Sequence, residues 1–239
     1  MIAHRGASGR FPENTLSAFW GAINAKTDII ELDLQLTSDE EVVVFHDKTV
    51  DRIFQIDSGK SINDYSLEEV KKIDAGSWFN PEFSNVRIPT LDEVLESLPR
   101  ESSLILEIKG DKEKLVSSTI TSLENMNKTL GSGYISVKDI ETLNAVNECT
   151  DKCRTGLMQK GRTALETIKM IEENEISIIQ IRWRNWNEEE WQILSDLNKI
   201  VTVFYSDRED EFEYLLEKKV DGILTNYPSH LVDFLDKKI

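Results

Sequence analysis

The chain alternates short apolar runs with stretches of helical periodicity. Strand-like runs occur at IAHR, DIIELDL, SLILEIK, GYISV, RTGLMQ, ISIIQIRW, IVTVFY and GILTNY. Between most of them, apolar positions recur at i, i+3, i+4 and i+7. Leu16, Phe19, Trp20 and Ile23 do so behind an Asn-Thr capping signal, and RTALETIKMIEEN, NEEEWQILSDLNK and EDEFEYLLEKK repeat the pattern. A strand followed by a crossover helix returns to the same end of the sheet, so such units pair in parallel. Eight of them predict an α/β fold, a closed (βα)8 TIM barrel. An open doubly wound sheet is the competing arrangement, but no Gly-x-Gly-x-x-Gly loop follows any of the strands.

One segment breaks the alternation. After the second strand, where a crossover helix is expected, stands a second β-rich run, EEVVVFHD. Some 40 residues of mixed character then lead to TLDEVLESL, a connection far longer than the usual loop. It contains GSWFNPEF, an irregular, aromatic-rich stretch. The expectation is one catalytic barrel domain over residues 1–239, with a small insertion between its second and third barrel strands. That insertion, at about residues 48–88, is expected to cap the mouth.

Composition narrows the partners. The 239 residues carry a net charge of -16, which argues against nucleic acid or an anionic membrane surface as a target of the overall field. A small anionic substrate remains open, because local cations and a bound metal outweigh a distant field. The two cysteines, Cys149 and Cys153, lie four apart at an expected helix end with no other metal-ligand signature, so reduced thiols and a cytoplasmic location are expected. No apolar run is long enough to cross a bilayer, so no stable membrane insertion is expected. The first strand starts almost at Met1, so no signal peptide is expected. Oligomeric state leaves no mark in the sequence.

The chemistry gathers in ELDLQLTSDEEVVVFHD. Glu31 and Asp33 are two apart in a strand, so both leave one face. In a parallel barrel neither face tolerates two bare carboxylates, and a cation offsets the cost. A turn at TSDEE, centred near Asp39 and Glu40, sets residue 33 opposite residue 46 and brings His46 beside Asp33. The third barrel strand ends in Glu107 and Lys109, again two apart, and the first ends in His4 and Arg5, with Gly6 to turn the chain. Barrel enzymes keep their chemistry at these strand ends. Three carboxylates, Glu31, Asp33 and Glu107, suit a hard divalent cation, Mg2+ or Ca2+. Arg5 and Lys109 suit phosphate oxygens, and His4 with His46 can serve as a general acid and base. A phosphodiester-cleaving site follows.

These residues resemble the glycerophosphodiester phosphodiesterase family. The similarity is carried by HRGASGRFPENTLSAF, ELDLQLTSDEEVVVFHD, DAGSWFNPEF with IPTLDEVL, and LEIK, within roughly the first 110 residues; beyond them it is a pattern of strands ending in DGILTNYP. The resemblance implies a (βα)8 barrel, a divalent cation, and hydrolysis of small-molecule glycerophosphodiesters to glycerol 3-phosphate and an alcohol. It implies His4 and His46 as acid and base, Glu31, Asp33 and Glu107 as metal ligands, and Arg5 and Lys109 at the phosphate. The family reaction is often drawn with a glycerol hydroxyl as internal nucleophile. The chain departs from the family pattern at IFQIDSGK, at Ser136-Val137, at Phe204-Tyr205, and at Thr225-Asn226, where the family has Thr-Asp. These changes bear on the pocket for glycerol and the leaving alcohol. Two other readings compete. One is a lysophospholipase D-like enzyme, for which Trp183, Trp186 and Trp191 would have to line an acyl groove rather than pack. The other is a phosphate-binding barrel without catalysis. His230 reads as a surface or capping residue.

Overall fold

A computed structural model of the chain describes residues 1–110 and 112–238. Nine strands follow in chain order: β1 (Ile2–Ala3), β2 (Ile29–Leu36), β3 (Val42–Val44), β4 (Ser103–Ile108), β5 (Tyr134–Val137), β6 (Thr155–Met158), β7 (Ile178–Ile181), β8 (Ile200–Val203) and β9 (Gly222–Thr225). Eight of them pair in parallel, each with its neighbour in the series, and β1 pairs with both β2 and β9. That double pairing closes the ring, so the fold is a (βα)8 TIM barrel. β3 stands outside it, antiparallel on β2.

The helices are α1 (Leu16–Asn24), α2 (Asp51–Phe54), α3 (Leu67–Lys72), α4 (Leu91–Ser97), α5 (Lys112–Asn125), α6 (Ile140–Cys149), α7 (Ala164–Glu173), α8 (Glu188–Asp196), α9 (Glu209–Glu217) and α10 (Pro228–Asp236). The apolar faces of all of these but α2 and α3 form one large core with the outward residues of the strands. Starts are set locally. Thr15 Oγ1 accepts from Ala18 N–H at α1, and reciprocal Thr-x-x-Glu caps open α4 and α7.

Alternation along each strand separates two environments. On β2, Ile30, Leu32 and Leu34 pack outward against helices, while Glu31 and Asp33 turn into the barrel and are buried there. The interior floor is apolar: Ile2, Ile105, Tyr134, Ile178 and Leu224 fill it. Gly156 makes room for the Tyr134 ring, since a Cβ there would lie 2.4 Å from a ring carbon. The polar residues begin one layer above, toward the C-terminal ends of the strands.

Between β3 and α4 the chain builds a smaller cluster of its own, in which Phe45, Val50, Ile53, Ile62, Val70 and Ile88 are buried. The crossover helix that the second strand lacks is α4, after this segment. The tryptophans Trp183, Trp186 and Trp191 are buried in the main core. No described helix is long and apolar enough to cross a membrane. Cys149 closes α6 and is exposed, Cys153 is half-buried, and both are free thiols.

The hairpin register differs from expectation. Leu34 faces Val44, Leu36 faces Val42, and Phe45 N–H donates to the Asp33 carbonyl, so Phe45 rather than His46 stands opposite Asp33. The turn is a five-residue loop centred on Asp39. Thr37 N–H donates to the Glu41 carbonyl, and Glu40 takes a left-handed φ of 65° to close it. An odd loop shifts the pairing by one residue relative to a turn centred between Asp39 and Glu40. His46 lies past the end of the ladder, where alternation no longer fixes its direction, and still reaches the barrel mouth.

Candidate active site

A cavity of about 200 Å³ opens at the C-terminal mouth of the barrel, with His4, Arg5, His46, Glu107 and Lys109 in its wall. The structure therefore brings three separate segments predicted from sequence to one cavity, and β2 adds a fourth beneath it. Glu31 and Asp33 lie buried beside Glu107, and one oxygen from each of the three falls within 4.8 Å of the others.

The turn after β1 places His4 and Arg5. Arg5 takes a left-handed φ of 56° and Gly6 one of 79°. A Cβ on Gly6 would lie 2.6 Å from the Ala18 carbonyl carbon, so α1 comes too close for any other residue. A non-glycine residue held in this region costs on the order of 1 kcal/mol, and such residues cluster at functional sites. Here the turn aims the Arg5 N–H at Glu31 Oε2, 2.8 Å away.

His4 is buried between strands. Burial and the neighbouring Arg5 cation push its pKa down to about 4, so the imidazole is neutral at physiological pH. Its Nδ1 lies 2.8 Å from Asn226 Oδ1. The direction of that bond follows from the next one. Asn226 Nδ2 lies 2.7 Å from Asp207 Oδ2, and only the amide nitrogen can donate to a carboxylate. The amide oxygen therefore faces His4, Nδ1 carries the proton, and Nε2 keeps its lone pair. Asp207 also accepts from the Asn226 N–H and from Thr225 Oγ1, which locks it in place. Phe204 and Tyr205 pack against the ring.

The carboxylates are not equivalent. Burial pushes the Glu31 carboxyl well up, and Asp33 and Glu107 beside it push further, against a smaller opposing pull from Arg5. Burial acts the same way on Asp33, but Lys109 and Arg5 outweigh it and hold that carboxyl well below the usual range. Lys109 Nζ sits 3.1 Å from Asp33 Oδ1 and 3.0 Å from Glu107 Oε1, and Lys138 Nζ is 3.0 Å from that same Glu107 oxygen. Three carboxylate oxygens at this spacing are a donor set that a hard divalent cation fits.

Several contributors were not read from the sequence. Asn14 Nδ2 donates to Asp33 Oδ2 at 2.8 Å and orients that carboxylate from a left-handed φ of 57°. Asp47 Oδ1 is 2.8 Å from His46 Nδ1 and fixes the ring. Arg52 bridges Asp47 (2.7 Å) to Glu13 (2.7 Å), and Glu13 in turn pairs with Arg5 Nη1 at 2.8 Å. Glu13, His46 and Asp47 also cluster like metal ligands, but these two arginines already neutralise that group. The Arg5 guanidinium lines the cavity while holding Glu13 and, through Nε, Asp33 at 3.2 Å. The local signals were the Pro-Glu-Asn-Thr and His-Asp runs, whereas Asp207 and Asn226 are brought together only by the fold. His230 is half-exposed in α10, 3.2 Å from Glu209, and takes no part.

Chemistry gathered at the C-terminal mouth of a closed parallel barrel marks the molecule as a barrel enzyme. Comparison with known proteins narrows this. Residues 4–230 match the glycerophosphoryl diester phosphodiesterase family. Over 140 residues the chain is 43% identical to YhdW of Bacillus subtilis, an alignment that spans 59% of this chain and 55% of YhdW. It is 32% identical to the glycerophosphodiester phosphodiesterase of Caldanaerobacter subterraneus, with 99% of this chain and 98% of that one aligned. Among solved structures, an Oleispira antarctica phosphodiesterase in complex with the product sn-glycerol-3-phosphate superposes with a TM-score of 0.87, at 25% identity, over 98% of this chain and 96% of that one. The chain belongs to the glycerophosphoryl diester phosphodiesterase family and is a phosphoric diester hydrolase.

Proposed function

We propose that the protein hydrolyses small-molecule glycerophosphodiesters to glycerol 3-phosphate and an alcohol, with His4 as general base and His46 as general acid. The observation that carries this reading is the buried, neutral His4, whose Nδ1–H is held by Asn226 and whose Nε2 lone pair is left to accept a proton from the attacking hydroxyl. His46, oriented by Asp47, is the group that protonates the departing alkoxide. Arg5 and Lys109 offer cations to the phosphate oxygens. Glu31, Asp33 and Glu107 would hold Mg2+ or Ca2+, which when bound supplies charge stabilisation at phosphorus.

The lysophospholipase D-like reading has less support. It needs an apolar groove beside the site, and Trp183, Trp186 and Trp191 pack in the core. Among the described cavity residues only Met158 and Phe204 are apolar. The experiment that decides is phosphate-ester release from glycerophosphocholine, glycerophosphoethanolamine and lysophosphatidylcholine, with and without EDTA. Turnover of the first two, abolished by EDTA, is expected. Turnover of the lysolipid alone would overturn the assignment.

A further inference from the structure

The interior alternation that delivers Glu107 and then Lys109 at the end of β4 is repeated on the next three strands. β5 presents Ser136 and then Lys138, β6 presents Met158 and then Lys160, and β7 presents Gln180 and then Arg182. The parallel register aligns these strands side by side. Four consecutive strands thus each place a cation on the same rim, two residues beyond an inward-facing position. All four line the cavity.

A solvated lysine or arginine at a barrel rim is ordinary, and any one of these alone would mean nothing. The set is different for three reasons. The chain carries a net charge of -16, yet the described cavity wall holds five cations, Arg5 included, and one carboxylate, Glu107. That carboxylate is already shared by Lys109 and Lys138. Lys160 and Arg182 have no carboxylate partner among the described residues; Arg182 instead lies over the Phe204 ring, 5.7 Å from its centroid. The two are therefore left with charge that no described carboxylate pairs with. In the ring of eight strands β7 is diametrically opposite β2, so this charge faces Glu31 and Asp33 across the mouth.

We propose that Lys160 and Arg182, with Lys138 between them and the reaction centre, bind a second anionic group carried by the alcohol that the reaction releases. The preferred substrates are glycerophosphodiesters whose leaving alcohol bears a phosphomonoester or carboxylate. This rests on the phosphodiesterase reading above and adds the class of head group. Polar glycerol hydroxyls need no such field, whereas a head-group anion at the far rim does. A cationic head group such as choline would meet like charge there.

The test compares kcat/KM for three diesters that differ only in the leaving alcohol: glycerol, glycerol phosphate and choline. The wild-type enzyme is expected to prefer the glycerol phosphate diester over the glycerol diester by at least about tenfold, with the choline diester last. In Lys160→Met and Arg182→Met the ratio of the anionic to the neutral diester is expected to fall about tenfold each, the size of one charge-assisted hydrogen bond. Lys160→Arg, which keeps the charge, retains the ratio. Raising the salt concentration erodes the wild-type ratio, and erodes that of each Met variant less. Because the readout is a ratio within one preparation, the neutral diester also reports that each variant is folded. Equal kcat/KM for the three diesters, or ratios that do not move in the Met variants, would overturn the inference while leaving the phosphodiesterase reading intact. Failure to hydrolyse any of the three would overturn both.

Discussion

Replacing Asn226 by Asp restores the residue that the family pattern carries at this place and puts a carboxylate where an amide oxygen now lies 2.8 Å from His4 Nδ1. Two opposite charges about 4 Å apart attract by ~4 kcal/mol at an effective dielectric near 20, which corresponds to about three pKa units. Part of this is lost, because the new carboxylate must ionise beside Asp207, whose Oδ2 is 2.7 Å from the Asn226 amide nitrogen. A net rise of roughly two units takes His4 from about 4 to about 6. Only the neutral imidazole accepts a proton, so the acid limb of kcat/KM moves up by the same two units. At pH 5 about nine-tenths of His4 is neutral in the wild type and about one-tenth in Asn226→Asp, an expected deficit of about tenfold that shrinks as pH rises toward 8. The assay is kcat/KM for glycerophosphoethanolamine from pH 4 to 9 at saturating Mg2+. A proton NMR titration of the ring signals runs alongside, simplified by there being three histidines. An acid limb that stays in place, or a deficit that is the same at every pH, would refute the assignment of His4 as the titrating base.

Three further outcomes are expected. Exhaustive chelation should abolish turnover, and Mg2+ or Ca2+ should restore it and raise the melting temperature, because Glu31, Asp33 and Glu107 repel one another without a cation; full activity in a sample shown metal-free by elemental analysis would contradict this. His4→Ala and His46→Ala should each lower kcat by roughly 10²–10⁴ with circular dichroism unchanged, and wild-type turnover in either would make that histidine structural. Gly6→Ala should destabilise the fold by about 2 kcal/mol or more, since it combines a positive φ of 79° with a Cβ 2.6 Å from the Ala18 backbone; an unaltered melting temperature would show that α1 yields freely.

Much of the barrel was legible because its strands are apolar runs separated by helices with clear caps, and each of the eight runs became a strand or its edge. The paired carboxylates were legible for the same reason: a period of two puts Glu31 with Asp33, and Glu107 with Lys109, on one face. His46 was placed near the site by an argument whose register was one residue off. It arrives there because the chain leaves β3 after Val44 and bends over the mouth, which no alternation encodes. Lys138, Lys160 and Arg182 were within reach of the same period-of-two rule but were not drawn from it, since single cations at strand ends read as solvated surface. The contact between Asp207 and Asn226 was out of reach altogether. It joins the loop after β8 to the end of β9, and its meaning comes from a histidine 222 positions away along the chain.

That separation has a consequence for folding. β1 is two residues long and is the only parallel link between β9 and β2, so the ring shuts when the beginning of the chain docks beside its end, with Ile2 against Leu224 and Ala3 against Thr225. Closing so long a loop carries the largest entropic cost of any strand pairing here, and so short a strand has few backbone bonds with which to offset it. The seam is thus expected to open locally, below the free energy of global unfolding. His4 and Arg5 ride on that seam, and the hydrogen bond that sets the His4 tautomer spans it. Amide exchange at Ile2–His4 should accordingly outpace that of β4 to β7 in the native state. A barrel with its seam open would keep nearly all of its secondary structure and lose the proposed base, so on that proposal activity should report closure of the ring rather than the folded content of the chain.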